Sequence, residues 1–191
     1  SILLKGARVF GFERITESLQ QKTHETVLEI DLNALVYNLN YYRSKLEPGV
    51  KVMAMVKAFS YGSGSYEIAN VLQFHQVDYL TVAYADEGVE LRKAGIKLPI
   101  MVMNPDEESF DTMLRYQLEP EIYSFRVLKM LEASLLRLSS NSQPVGIHIK
   151  IDTGMHRLGF DPSEIDELIN QIKGRPHIVV KSVFSHLAAS D

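Results

Sequence analysis

The sequence predicts an α/β fold, a parallel sheet covered by crossover helices, and at 191 residues an incomplete (β/α)₈ barrel with about six of eight strands. Three observations predict it. Short β-rich runs alternate regularly with helical stretches from residue 27 onward, the pattern of consecutive strand–helix units. Within the runs one face is aliphatic and the other carries polar or charged residues, as expected when only one side meets the helices. The chain is also shorter than the roughly 250 residues of a closed barrel.

The expected strands are residues 50–56, 79–83, 99–103, 119–123, 145–151 and 177–185. Helices are expected to begin near Ser65, Tyr84, Glu107, Ser124 and Pro162, with an earlier one over residues 32–46. Asp31 and the Asp161-Pro162 pair supply N-terminal caps, and Gly49, Gly95 and Gly174 fall where helices should stop. Residues 1–25 are set apart. A strand over 2–10, a short helix over 13–20 and a polar connection over 20–25 read as a separate tail and linker, leaving 26–191 as the barrel part.

Composition narrows the function classes. Apolar residues make up 46% of the chain and charged residues 23%, enough to bury a core. A net charge of -4 provides no electrostatic footprint for nucleic acid or an anionic membrane. No cysteine is present, which removes disulfides, thiolate metal sites and a cysteine nucleophile, and no metal site is expected. No run is long enough to span a bilayer and the opening residues lack a signal-peptide core. The expectation is a cytoplasmic protein with a small-molecule partner.

Two runs carry chemistry. Along residues 50–57, Val50, Val52, Ala54 and Val56 share one face while Lys51, Met53, Met55 and Lys57 share the other. Lys57 then points into the barrel at the carboxyl end of its strand, where sites of this architecture are built. In the segment KAFSYGSG beginning at that lysine, Tyr61 offers a hydroxyl and Gly62 and Gly64 allow close backbone approach before a helix start, a cradle for an anion. Taken alone, the glycines serve a tight turn equally well, and the lysine a strand end reaching solvent. Along residues 145–151, His148, Lys150 and then Asp152 share the inward face. An ammonium there requires a compensating anion, which an ordinary carboxylate would supply.

The segment VKAFSYGSG resembles the VKANAYGHG-type signature of alanine racemases, with Phe59, Ser60 and Ser63 departing from its commonest residues. The resemblance implies a pyridoxal 5'-phosphate barrel in which Lys57 holds the cofactor as a Schiff base and Tyr61 contacts its phosphate. The segment HIKIDTGMHRLGF resembles the family's HxKxDTGMxRLG motif. By position Lys150 is then a lysine that is often carbamylated, and Arg157 an arginine that pairs with the carbamate and binds the substrate carboxylate. FSHLAASD resembles the THFATAD-type segment, which places His186 against the cofactor ring, and VAYADEGVELRKAGI resembles a further family segment that serves packing.

The activity implied by this resemblance is racemisation of L-alanine and D-alanine for peptidoglycan synthesis by a homodimeric complete protein, with Lys57 as one of two bases. The family's second base is a tyrosine in a carboxyl-terminal β-domain, expected to be absent here, so the 191-residue chain alone is expected to be inactive. The opening ILLKGARVFGFERI resembles the carboxyl-terminal edge of the ligase that adds D-alanyl-D-alanine to the peptidoglycan precursor, which implies a fusion. Two other readings are a non-catalytic pyridoxal-phosphate-binding barrel of the homeostasis type, which generally lacks the DTGMxRLG element, and a structural or docking segment of a bifunctional cell-wall enzyme.

Overall fold

The computed structural model describes residues 29–62, 64–138 and 144–188. The chain divides into two units, Ser1–Ile30 and Asp31–Asp191, and every described helix and strand belongs to the second. The elements expected over residues 1–25 lie outside the described residues.

Six parallel strands form one sheet in chain order: β1 (Met53–Met55), β2 (Tyr79–Val82), β3 (Ile100–Val102), β4 (Glu119–Ile122), β5 (Val145–Ile151) and β6 (Ile178–Ser185). Each falls inside the run expected for it. Alternation aligns across the register. Leu80 pairs with Ile100 and Val82 with Val102, and with Ile122 and Ile147 these side chains are completely buried against the helices. Each such aliphatic side chain contributes about 1.5–3 kcal/mol by leaving water. The other face carries Met53, Met55, Tyr79, Thr81 and Met101, joined across the strands as Met53–Tyr79, Met55–Thr81 and Thr81–Met101. Glu119, Glu121, His148 and Lys150 continue this face on β4 and β5 by the same period of two.

The helices are α1 (Leu32–Arg43), α2 (Lys57–Tyr61), α3 (Ser65–Phe74), α4 (Ala85–Lys93), α5 (Phe110–Arg115), α6 (Phe125–Arg137) and α7 (Ile165–Ile172), the last entered through a 3₁₀ turn (Pro162–Glu164). Asp31 caps α1, its carboxylate accepting from the backbone N–H of Asn33 (2.8 Å) and Ala34 (3.2 Å). Asp161 accepts from Ser163 N–H at 2.9 Å while Glu164 reaches back to Asp161 N–H at 2.8 Å, a reciprocal cap that starts the turn at Pro162. Helix α6 buries Val127, Leu128, Leu131 and Ser134, the stripe of an amphipathic helix.

Three boundaries differ from the sequence reading. Helix α5 starts at Phe110 rather than near Glu107, because Asp106 and Ser109 exchange backbone–side-chain bonds (2.8 and 3.0 Å) that hold the intervening residues in a turn. Helix α1 stops at Arg43, three residues before 46; there the guanidinium donates to the carbonyls of His75 and Gln76 (both 2.6 Å). Helix α2 has no counterpart in the local sequence pattern. The last ladder bond of β1 is Val56 N–H to the Thr81 carbonyl (2.9 Å), after which Ser60 N–H donates to Val56 (3.3 Å) and Gly62 N–H to Ala58 (3.2 Å). Lys57 is therefore the first residue of a helical turn, not the last of a strand.

Candidate active site

Lys57 is held at the carboxyl end of the sheet by a clamp from the neighbouring unit. The Glu87 carboxylate, in the first turn of α4, accepts from Ala58 N–H at 2.6 Å through one oxygen. Its other oxygen accepts from Ala83 N–H at 2.7 Å and Tyr84 N–H at 3.1 Å. One carboxylate thereby caps α4 and pins the residue after Lys57 to the end of β2, with charge-assisted bonds that exceed neutral ones in strength. The segment carrying Glu87 resembles a packing segment in sequence; its acidic residue also fixes where the lysine emerges.

The anion beside Lys150 is Glu121. Lys150 Nζ stands 3.2 Å from Glu121 Oε1, with the Lys150 side chain 5% exposed and that of Glu121 completely buried. Burial raises the Glu121 pKa above the ordinary carboxylate range, opposed by the charges of Lys150 and, more weakly, Arg157. Arg157 stands on a loop that closes on itself: Asp152 N–H donates to the Phe160 carbonyl and Phe160 N–H to the Lys150 carbonyl, both at 2.9 Å. Within it the Asp152 carboxylate accepts from Gly154 N–H (2.9 Å) and His156 N–H (3.1 Å), bonds that hold its carboxyl below the usual range. Gly159 has φ of 135°, and a Cβ there would stand 2.5 Å from Asp152 N. Only glycine fits that turn.

Beneath this layer lies a second polar one. His148 Nε2 meets Glu119 Oε2 at 2.8 Å and its Nδ1 meets Ser182 Oγ at 2.7 Å, while the Tyr79 ring stands edge-on to the imidazole at 5.4 Å. Burial, with the charge of Glu119 and a hydrogen bond to it, pushes the Tyr79 hydroxyl up to about 12. The imidazole has both nitrogens engaged, which supports a structural reading of His148.

Lys57, Lys150 and Arg157 line one cavity of roughly 230 Å³ together with Ala83, Met103, Asn104, Glu121 and Leu158. Three basic side chains and one carboxylate around a small space suit an anionic ligand. His186 comes directly after β6 and is exposed, and it is not among the residues lining that cavity. The Tyr61 side chain lies outside the described residues. Gly64 caps α3 without a side-chain bond and, like Gly62, has positive φ (92° and 89°). The Ser60 hydroxyl nearby is buried without a hydrogen-bond partner among the described residues. Sequence reasoning missed Glu121 and the clamp of Glu87. The first was open to detection, since Glu119 and Glu121 alternate with Pro120 and Ile122 and so share the inward face of β4.

Residues 30–191 match the family described as alanine racemase, N-terminal domain. The alanine racemase of Clostridium kluyveri is 38% identical over 174 residues, which is 90% of this chain and 43% of that protein. That of Methanococcus maripaludis is 36% identical over 171 residues, or 88% of this chain and 45% of the other. Among solved structures, the alanine racemase of Clostridium difficile 630 superposes with a TM-score of 0.77 at 33% identity, covering 86% of this chain and 44% of that one. The alanine racemase of E. faecalis does so with a TM-score of 0.75 at 30% identity, covering 84% and 43%. The chain spans less than half the length of these relatives. In sequence and in its open half-barrel of six parallel strands, this chain belongs to the alanine racemase N-terminal domain family.

Proposed function

We propose that this chain is the part of a pyridoxal 5'-phosphate-dependent alanine racemase that carries the cofactor lysine, Lys57. The observation that carries the reading is the convergence of Lys57, Lys150 and Arg157 on one cavity at the carboxyl end of the strands. The residues present fit the cofactor: a primary amine at the cavity wall, an unpartnered buried Ser60 hydroxyl, and a helix N-terminus at α3 preceded by glycine with no side chain capping it. When bound, pyridoxal phosphate makes the α-proton of an amino acid acidic by delocalising the resulting negative charge.

In this reading the Lys57 amine would hold the cofactor, and the same amine would move the α-proton on one face of the substrate. Its place is set by Glu87 through Ala58. Tyr61 and the N-terminus of α3 hold the phosphate, Arg157 receives the substrate carboxylate in a forked contact, and His186 lies against the ring. Ala83, Met103 and Leu158 form an apolar part of the cavity wall. Alanine is the substrate, peptidoglycan synthesis the use and a cytoplasmic homodimer the assembly of the complete protein, fused through residues 1–25 to a ligase. Among the described residues no helix is long and apolar enough to cross a membrane.

The reading is tested by borohydride reduction of the chain in the presence of pyridoxal phosphate, followed by peptide mapping with Lys57→Ala as the blank. Label on Lys57 supports it. Label found on other lysines with Lys57 free overturns it.

A further inference from the structure

We propose that Glu121 is the resident anion of the lumen, standing where the family resemblance puts a carbamate, so that Lys150 remains an unmodified ammonium and Arg157 answers to a protein carboxylate. The geometry is specific. Glu121 Oε1 stands 3.2 Å from Lys150 Nζ in a site from which water is almost excluded. Both Glu121 oxygens are buried, and Lys150 Nζ is the one charged group within 4 Å of them among the described residues. Burial raises its pKa, and the charge of Lys150 and, more weakly, that of Arg157 oppose the rise. The three groups share the cavity lined by Lys57.

Carbamylation needs the neutral amine. Nζ forms a bond to the carbon of carbon dioxide, one C=O electron pair moves to oxygen, and a proton leaves nitrogen for solvent. The carboxylate of Glu121 favours the protonated nitrogen and so disfavours that attack. A carbamate would also set a second anion beside the buried carboxylate, where water screens neither. Lys150 therefore has one anion available from the protein, and a second would stand against that buried carboxylate.

The charge state of Lys150 is read without cofactor, so this test can fail while the Lys57 reading stands, and the reverse. Wild-type chain and the variants Glu121→Gln and Glu121→Asp are incubated with ¹³C-bicarbonate, carbamates are trapped by alkylation, and labelled lysines are mapped. Wild type and Glu121→Asp are expected to carry no label on Lys150. Glu121→Gln should acquire label at Lys150 well above the wild-type level. Bicarbonate should also raise the thermal midpoint of Glu121→Gln and leave that of wild type unchanged. Label on Lys150 in wild type matching that in Glu121→Gln overturns the proposal. So does a Gln variant that folds without label, or one that stays unfolded at every bicarbonate concentration.

Discussion

Glu87→Ala removes a single carboxylate from α4 and should loosen both the helix start and the lysine. Three bonds are lost, at 2.6, 2.7 and 3.1 Å. Ala58 and Tyr84 are exposed, so water replaces the carboxylate at their N–H groups, whereas Ala83 is half-buried and keeps part of its desolvation penalty. Hydrogen bonds to charged groups contribute about 1.5–3 kcal/mol when shielded and less in water, so the sum is about 2–3 kcal/mol. With a urea slope of about 1–3 kcal/mol/M, the midpoint should fall by roughly 1 M at unchanged slope. Glu90→Ala, an exposed residue of the same helix without a side-chain partner among the described residues, is the control and should stay within about 0.5 kcal/mol of wild type. Borohydride trapping of pyridoxal phosphate on Lys57 should weaken in Glu87→Ala and not in Glu90→Ala. A midpoint no lower than that of Glu90→Ala, or full trapping on Lys57 despite the loss of stability, would refute the clamp.

Gly159→Ala forces a Cβ to within 2.7 Å of the Ile151 carbonyl carbon at φ of 135°, and should lower stability by about 2 kcal/mol or more and the thermal midpoint by roughly 4–8 °C. Gly154→Ala, with φ of 122° but open space, should cost less, and equal midpoints for the two would contradict the crowding argument. The Asp152 carboxyl is held down by the N–H groups of Gly154 and His156. A depressed folded pKa means that its contribution is present above the ordinary Asp value of about 4 and is lost as pH falls through the folded value. Urea midpoints of wild type and Asp152→Asn should therefore converge below that range and separate at neutral pH; a pH-independent gap would count against it. Glu121 has the opposite sign, since burial raises its pKa and its own titration favours the fold as pH falls.

The sequence by itself determined the order of the six strands and of every described α-helix but α2, and the two faces of the sheet. A period of two with β-branched residues on one side is a local property, and it located β5 to the residue and the other five strands to within a few residues. The caps at Asp31 and Asp161 were legible for the same reason, since each acts over two or three residues. Tertiary structure decided what local pattern cannot carry. Alternation alone extends β1 through Lys57; the turn into α2 is accompanied by an oxygen about thirty residues away, that of Glu87 on Ala58 N–H. The charge beside Lys150 depends on which strand lies next to β5, and only the ordering of β4 against β5 brings Glu121 to 3.2 Å of its ammonium. Two inward charges on separate strands are each anomalous when read alone, because a buried ion is costly until its partner is known, and that partner is set by the sheet.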